Sequence, residues 1–216
     1  MKLKINIPES LNEISLRNYK HFLKIQEQEI DDRFYKAKMI EIFCGVNLKD
    51  VLNMRYKDSE EVVSILEEMF SQKPKLVQSF KLNGVDYGFH PSLDEMTLGE
   101  YIDLDTYIGD WENIEKAMNV LYRPIENRFK HKYSVEEYKL DTAGNLLDMP
   151  LSAVMSSIFF LLNLGVDLSK IMTKYLDKGQ VQALMEYQTL EKNGDGIQAF
   201  RNSLDKILLN LNISLN

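Results

Sequence analysis

The stretch Phe80–Ile125, FKLNGVDYGFHPSLDEMTLGEYIDLDTYIGDWENIEKAMNVLYRPI, decides how this chain is read. Two short alternating runs, SFKL and VDYGF, flank Asn83-Gly84. Asn-Gly supplies the positive φ values of a tight two-residue turn at little steric cost, so Gln78–His90 reads as a β-hairpin. Pro91 ends it. Thr97-Leu98-Gly99-Glu100 then has the form of a capping box, in which the threonine hydroxyl meets the Glu100 amide and the glutamate reaches back. The helix that follows carries Tyr101, Leu104 and Ile108 on one side, and Gly109-Asp110 breaks it. Trp111–Arg123 reads as a second helix, stopped by Pro124 because the residue before a proline avoids helical geometry.

Outward from this stretch the chain is helical. Toward the N-terminus, KLKINI alternates with Leu3, Ile5 and Ile7 on one face, a short strand pattern that Pro8 stops. A hairpin alone is marginal in water, so this strand is expected to pair with it and make a small three-stranded sheet. Helical spacing then predicts helices over Ser15–Gln28, Arg33–Phe43 with Gly45 as C-cap, a short one opened by Asn47 or Asp50 and running through Met54, and Glu60–Gln72. Toward the C-terminus, ENRFKHKYS (residues 126–134) reads as a loop. Pro150 suits the first turn of the longest apolar run, Leu151–Val166, which Gly165 is expected to end. Helical patterns recur at 170–176, 181–190 and 197–213. The fold class is thus mostly α, a multi-helix domain with a small antiparallel β-hairpin. Residues 1–165 form the core domain, and residues 166–216 a C-terminal helical segment packed on it or extending from it.

Composition narrows function mainly by exclusion. The chain has 216 residues and a net charge of −7, which argues against nucleic acid as the main partner, since that needs clustered Lys and Arg. Its N-terminus lacks the apolar core of a secretory signal. The run at 151–166 is shorter than a bilayer span and is interrupted by Ser156, Ser157 and Asn163, so no membrane span is expected. Cys44 is the only cysteine and sits in an apolar run, the setting of a buried structural thiol. His21, His90 and His131 fit no metal or catalytic spacing. Glu191–Gly196 has part of a calcium-loop pattern, but Asn202 stands where a bidentate glutamate is required. Neither a P-loop nor a dinucleotide fingerprint occurs. The expectation is no catalytic residue, no metal and no cofactor.

The residues left for function lie after the capping box. Arg128, Lys130, His131 and Lys132, with Arg123 just before, form the only basic cluster. Solvation explains such a loop. The functional reading is a contact for an acidic partner surface or a phosphate. Tyr101, Tyr107 and Tyr122 join it as candidate interface aromatics.

Three stretches carry a resemblance: NIPESLNEISLRNYKHFL, IDLDTYIGDWENIEKAMNVLYRPI and MPLSAVMSSIFFLLNLG. Together they resemble virion-associated or tail-assembly proteins of tailed bacteriophages of Bacteroidetes, crAss-like phages included. The resemblance implies a non-enzymatic virion protein, assembled in the host cytoplasm. It would act by contacts with other virion proteins (portal, neck, tail or cargo), as a neck or tail component or as internal cargo. The alternative it leaves is a tail-assembly chaperone absent from the mature particle. It assigns no functional residue. Copy number stays open, because ring components need closing heterologous interfaces and cargo does not.

Overall fold

The computed structural model describes residues 5–28, 31–130, 132–139 and 146–175, with the backbone alone over 167–175. The protein is mostly α with a small antiparallel sheet. Its helices are α1 (Leu16–Gln26), α2 (Asp32–Cys44), α3 (Leu48–Val51), α4 (Tyr56–Ser71), α5 (Leu98–Tyr107), α6 (Ile114–Leu121) and α7 (Leu151–Tyr175). The strands are β1 (Ser79–Leu82), β2 (Val85–Phe89), β3 (Tyr122–Phe129) and β4 (Lys132–Val135), in the spatial order β1-β2-β3-β4.

Local chemistry sets most boundaries. The Ser15 hydroxyl accepts the Asn18 N–H at 3.2 Å and starts α1. The Asp31 carboxylate accepts the Arg33 N–H at 2.7 Å and starts α2, which ends at Gly45 with φ 64°. Asn83 and Gly84 have φ 50° and 84°, the tight turn expected between β1 and β2. Helix α4 begins at Tyr56, earlier than its apolar spacing suggests, and Arg55 grips Asp58 through two bonds of 2.8 and 2.9 Å at this end.

The sheet corrects the sequence reading at three places. No strand forms over residues 5–7, and residues 1–4 lie outside the described residues. The third and fourth strands come instead from 122–135, much of which had the composition of a loop. Helix α6 stops at Leu121, and Tyr122 opens β3 directly. The rule that ends a helix before proline also favours extended backbone there, so Arg123-Pro124 continues as strand. Pro124 pairs with Tyr87, and its carbonyl accepts the Glu136 N–H at 2.9 Å. A register irregularity between Ile125 and Asn127 lies beside it, a usual setting for proline in a ladder.

The core lies between α7, the sheet and the helices α1, α2, α4 and α6. Leu16, Ile40, Leu66, Met118, Leu121 and Ile158 are fully enclosed in it. The start of α7 is tied to the chain ahead of α1. Leu16 N–H donates to the Met149 carbonyl at 3.0 Å, and Leu151 N–H to the Ile14 carbonyl at 2.8 Å. Helix α7 runs through Gly165 to Tyr175 rather than ending there. A lone glycine costs a helix only about 1 kcal/mol, less than the burial of the preceding turns supplies. No helix among the described residues is long and apolar enough to cross a membrane. The patterns at 181–190, 191–196 and 197–213 lie outside the described residues.

Candidate functional site

The capping box forms as its residues dictate. Thr97 Oγ1 accepts the Glu100 N–H at 3.3 Å, while Glu100 Oε2 accepts the Thr97 N–H at 2.7 Å and the Thr97 hydroxyl at 2.8 Å. The other oxygen, Oε1, accepts from Arg123 Nη1 at 2.8 Å, and both side chains are almost completely buried. Burial alone would raise the Glu100 pKa, but the Thr97 bonds and Arg123 together hold it below the ordinary value. Arg123 Nε is buried without a hydrogen-bond partner among the described residues. His90 lies beside this pair. Its Nδ1 accepts the Ser92 N–H at 3.2 Å, and burial, then the nearby Arg123 charge, lowers its pKa.

These groups are engaged structurally. Glu100 already accepts three bonds, two from Thr97 and one from Arg123. Burial pushes the Cys44 thiol up to about 11, the opposite of what an attacking thiolate requires. No group of three or more metal-ligating side chains occurs among the described residues. The larger concavity, about 340 Å³, is a cleft where Lys73–Leu76 passes over Phe159, Phe160 and Val166 of α7. A second, of about 280 Å³, lies between Ile7–Glu9 and the end of α4.

The candidate contact residues do not form one patch. Tyr122 is enclosed in the core, its hydroxyl 2.7 Å from the Val77 carbonyl. Arg123 is buried on Glu100, so neither presents a surface. Tyr107 is half-buried with Lys116 Nζ 4.8 Å above its ring. Tyr101, by contrast, is exposed on α5. Arg128, Lys130 and Lys132 are exposed at the end of the β3–β4 hairpin.

That hairpin is the surface feature the sequence hid. Only Tyr122–Pro124 of β3 pair with β2, and Ile125–Phe129 pair with β4 alone. Residues 125–129 and 132–135 are therefore a two-stranded arm that no further strand pairs, with 126–130 exposed. Tyr133, which pairs with Arg128 one step in from the tip, ties the hairpin to the sheet: its hydroxyl lies 2.8 Å from the Phe89 carbonyl and 3.0 Å from that of Gln78. Near its tip Phe129 is 74% exposed, with Lys130 Nζ 5.6 Å from its ring and Lys132 directly opposite. Lys130 has φ 54°, a left-handed conformation uncommon for a non-glycine residue.

Helix α5 bears the second feature. It packs inward through Glu100, Leu104 and Ile108, yet Leu98, Tyr101 and Ile102 face out, Leu98 at 75% exposure. With Asp105 these three occupy spacing i, i+3, i+4, i+7, one stripe along the helix. Asp105 Oδ1 is shielded from solvent and has no hydrogen-bond partner among the described residues.

Comparison with family models, with curated proteins and with solved structures finds no match for this chain.

Proposed function

We propose that this is a non-enzymatic protein of a tailed bacteriophage particle, acting through protein–protein contacts as a neck or tail component or as internal cargo. The observation that carries the contact reading is the β3–β4 arm. Beyond Pro124 this pair has no further strand beside it, and it presents an exposed phenylalanine among cations. Such a projection suits insertion against another protein. The setting in a phage particle rests on the resemblance of the three stretches quoted above. Partners would be other virion proteins.

The test is quantitative mass spectrometry of purified particles and of infected-cell lysate. Recovery at a fixed ratio to the portal supports the virion reading. Abundance in lysate with no more than traces in particles favours the tail-assembly chaperone, whose transient client would cover the bare α5 stripe. Absence from particles and from every assembly intermediate overturns both.

A further inference from the structure

The arm tip and the α5 stripe are complementary, and they lie at opposite ends of β3. Arg123, at the base of β3, is bonded to Glu100 in the first turn of α5. Phe129 lies six residues farther along the strand, beyond the irregularity between Ile125 and Asn127. Phe129 and Leu98 both remain about three-quarters exposed, so the arm does not fold back on its own α5.

The charges oppose as well. The arm tip carries Arg128, Lys130 and Lys132 without an acid between them. Between Pro91 and Lys116 the chain has eight carboxylates and neither Lys nor Arg. Some of these are internally paired, as Glu100 is with Arg123 and Glu115 with Lys20. Asp94, Glu95 and Asp105 form no ion pair among the described residues, and they flank the bare stripe in sequence. The stripe therefore offers an apolar strip with carboxylates at both ends. The arm offers one large aromatic between cations.

We propose that the β3–β4 arm of one copy docks on the α5 face of a second copy, with Phe129 against Leu98, Tyr101 and Ile102 and the arm cations against Asp94, Glu95 and Asp105. A lipid or nucleic-acid surface would meet repulsion from the α5 carboxylates and cover only the arm. A second copy covers both surfaces at once. The contact is heterologous, since a different patch is used on each side, and it builds a head-to-tail series that closes into a ring if the rotation permits. This names the partner for the contact reading and rests on it.

The experiment is sedimentation velocity on the full chain over a concentration series. One variant has the arm changed (Phe129→Ser, Lys132→Glu) and another the face (Leu98→Ser, Ile102→Ser). Wild type is expected to form concentration-dependent oligomers that weaken with added salt. Each variant alone is expected to be at least about tenfold weaker in association, as for loss of a central aromatic anchor. An equimolar mixture of the two forms one-to-one complexes and stops there, because one intact arm and one intact face remain between them. All four changed side chains are exposed, and circular dichroism checks that each variant folds. The charge exchange Lys132→Glu with Glu95→Lys supplies a second measure, since the double variant regains association lost by either alone. A monomeric wild type, or variants that associate undiminished, overturns the proposal. If such a monomer is nevertheless found in purified particles, self-docking fails while the virion reading stands. If the chain forms these oligomers but is absent from particles, self-docking stands and the virion reading fails.

Discussion

Glu100 and Arg123 meet at 2.8 Å with their side chains almost completely buried, joining the first turn of α5 to the base of β3. One carboxylate therefore caps a helix and anchors a strand. Removing one member of a buried ion pair leaves the other charge in a poor solvent, at a cost of about 3–5 kcal/mol. Arg123→Ala is expected to lose stability in that range. Thr97→Ala, which removes one cap bond, loses about 1 kcal/mol. Urea unfolding of the two variants checks the order. An Arg123 variant no weaker than the Thr97 variant would show that the pair contributes little.

The same cluster sets an acid response. His90 has a lowered pKa because of burial and the Arg123 charge, with the Glu100, Glu95 and Asp94 charges opposing. A group depressed in the folded state stabilises fully above its unfolded value and loses that contribution as pH falls. Stability is thus expected to decline as pH drops below about 6.5, the ordinary histidine value. Glu100 is also depressed, so a further decline begins below its ordinary value of 4.5. His90→Gln should abolish the first decline and spare the second. Thermal melts across pH 4 to 8, a range chosen to span roughly both ordinary values, separate the two.

Local chemistry was legible in the sequence, and pairing between distant residues was not. Asn83-Gly84, Thr97 with Glu100, and Gly45 each state their role within four residues, and each forms as read. β3 was hidden because its residues, YRPIENRF, become strand only by pairing with β2 and β4. Nothing local in 126–130 favours extension over a loop. The misreading of Arg123 has the same origin: beside Lys130 and Lys132 in sequence it looks like surface, and only Glu100, brought in by α5, buries it. Tyr122 likewise reads as an interface aromatic until Phe80 and Phe89 close around it at ring separations of 5.2 and 5.3 Å. Of the contact residues, the exposed ones, Tyr101, Arg128, Lys130 and Lys132, were visible in the sequence. The stripe of Leu98, Ile102 and Asp105 beside Tyr101 was not, because an amphipathic pattern does not say which of two apolar faces will stay bare.

The turn of the arm gives a backbone prediction. Lys130 at φ 54° carries a cost of order 1 kcal/mol that glycine would not. Glycine also gains freedom in the unfolded chain, worth about 0.4–1 kcal/mol in the other direction. Lys130→Gly is therefore expected to be neutral to slightly stabilising. Lys130→Val, β-branched in a left-handed position, should destabilise by more than about 1 kcal/mol. Thermal melts of the two variants check the sign. Equal losses in both would mean that the lysine side chain, and not the backbone, matters at this turn.

Gly88 is where the arm is fastened to the sheet. A Cβ there would overlap the Tyr133 ring and crowd Ile125, because the ring edge passes over the glycine, with the hydroxyl at the carbonyls of Gln78 and Phe89. Gly88→Ala must therefore push Tyr133 aside and forfeit those bonds, at an expected cost of about 1–3 kcal/mol. Tyr133→Ala removes the ring and costs a similar amount by losing the same contacts. The double variant has no ring to displace, so its loss should fall short of the sum by about 0.5–3 kcal/mol, the range for side chains in direct contact. Denaturant unfolding of the four proteins gives the coupling. Additive losses would show that the two residues do not act on each other, and that Tyr133 does not hold the arm to the sheet.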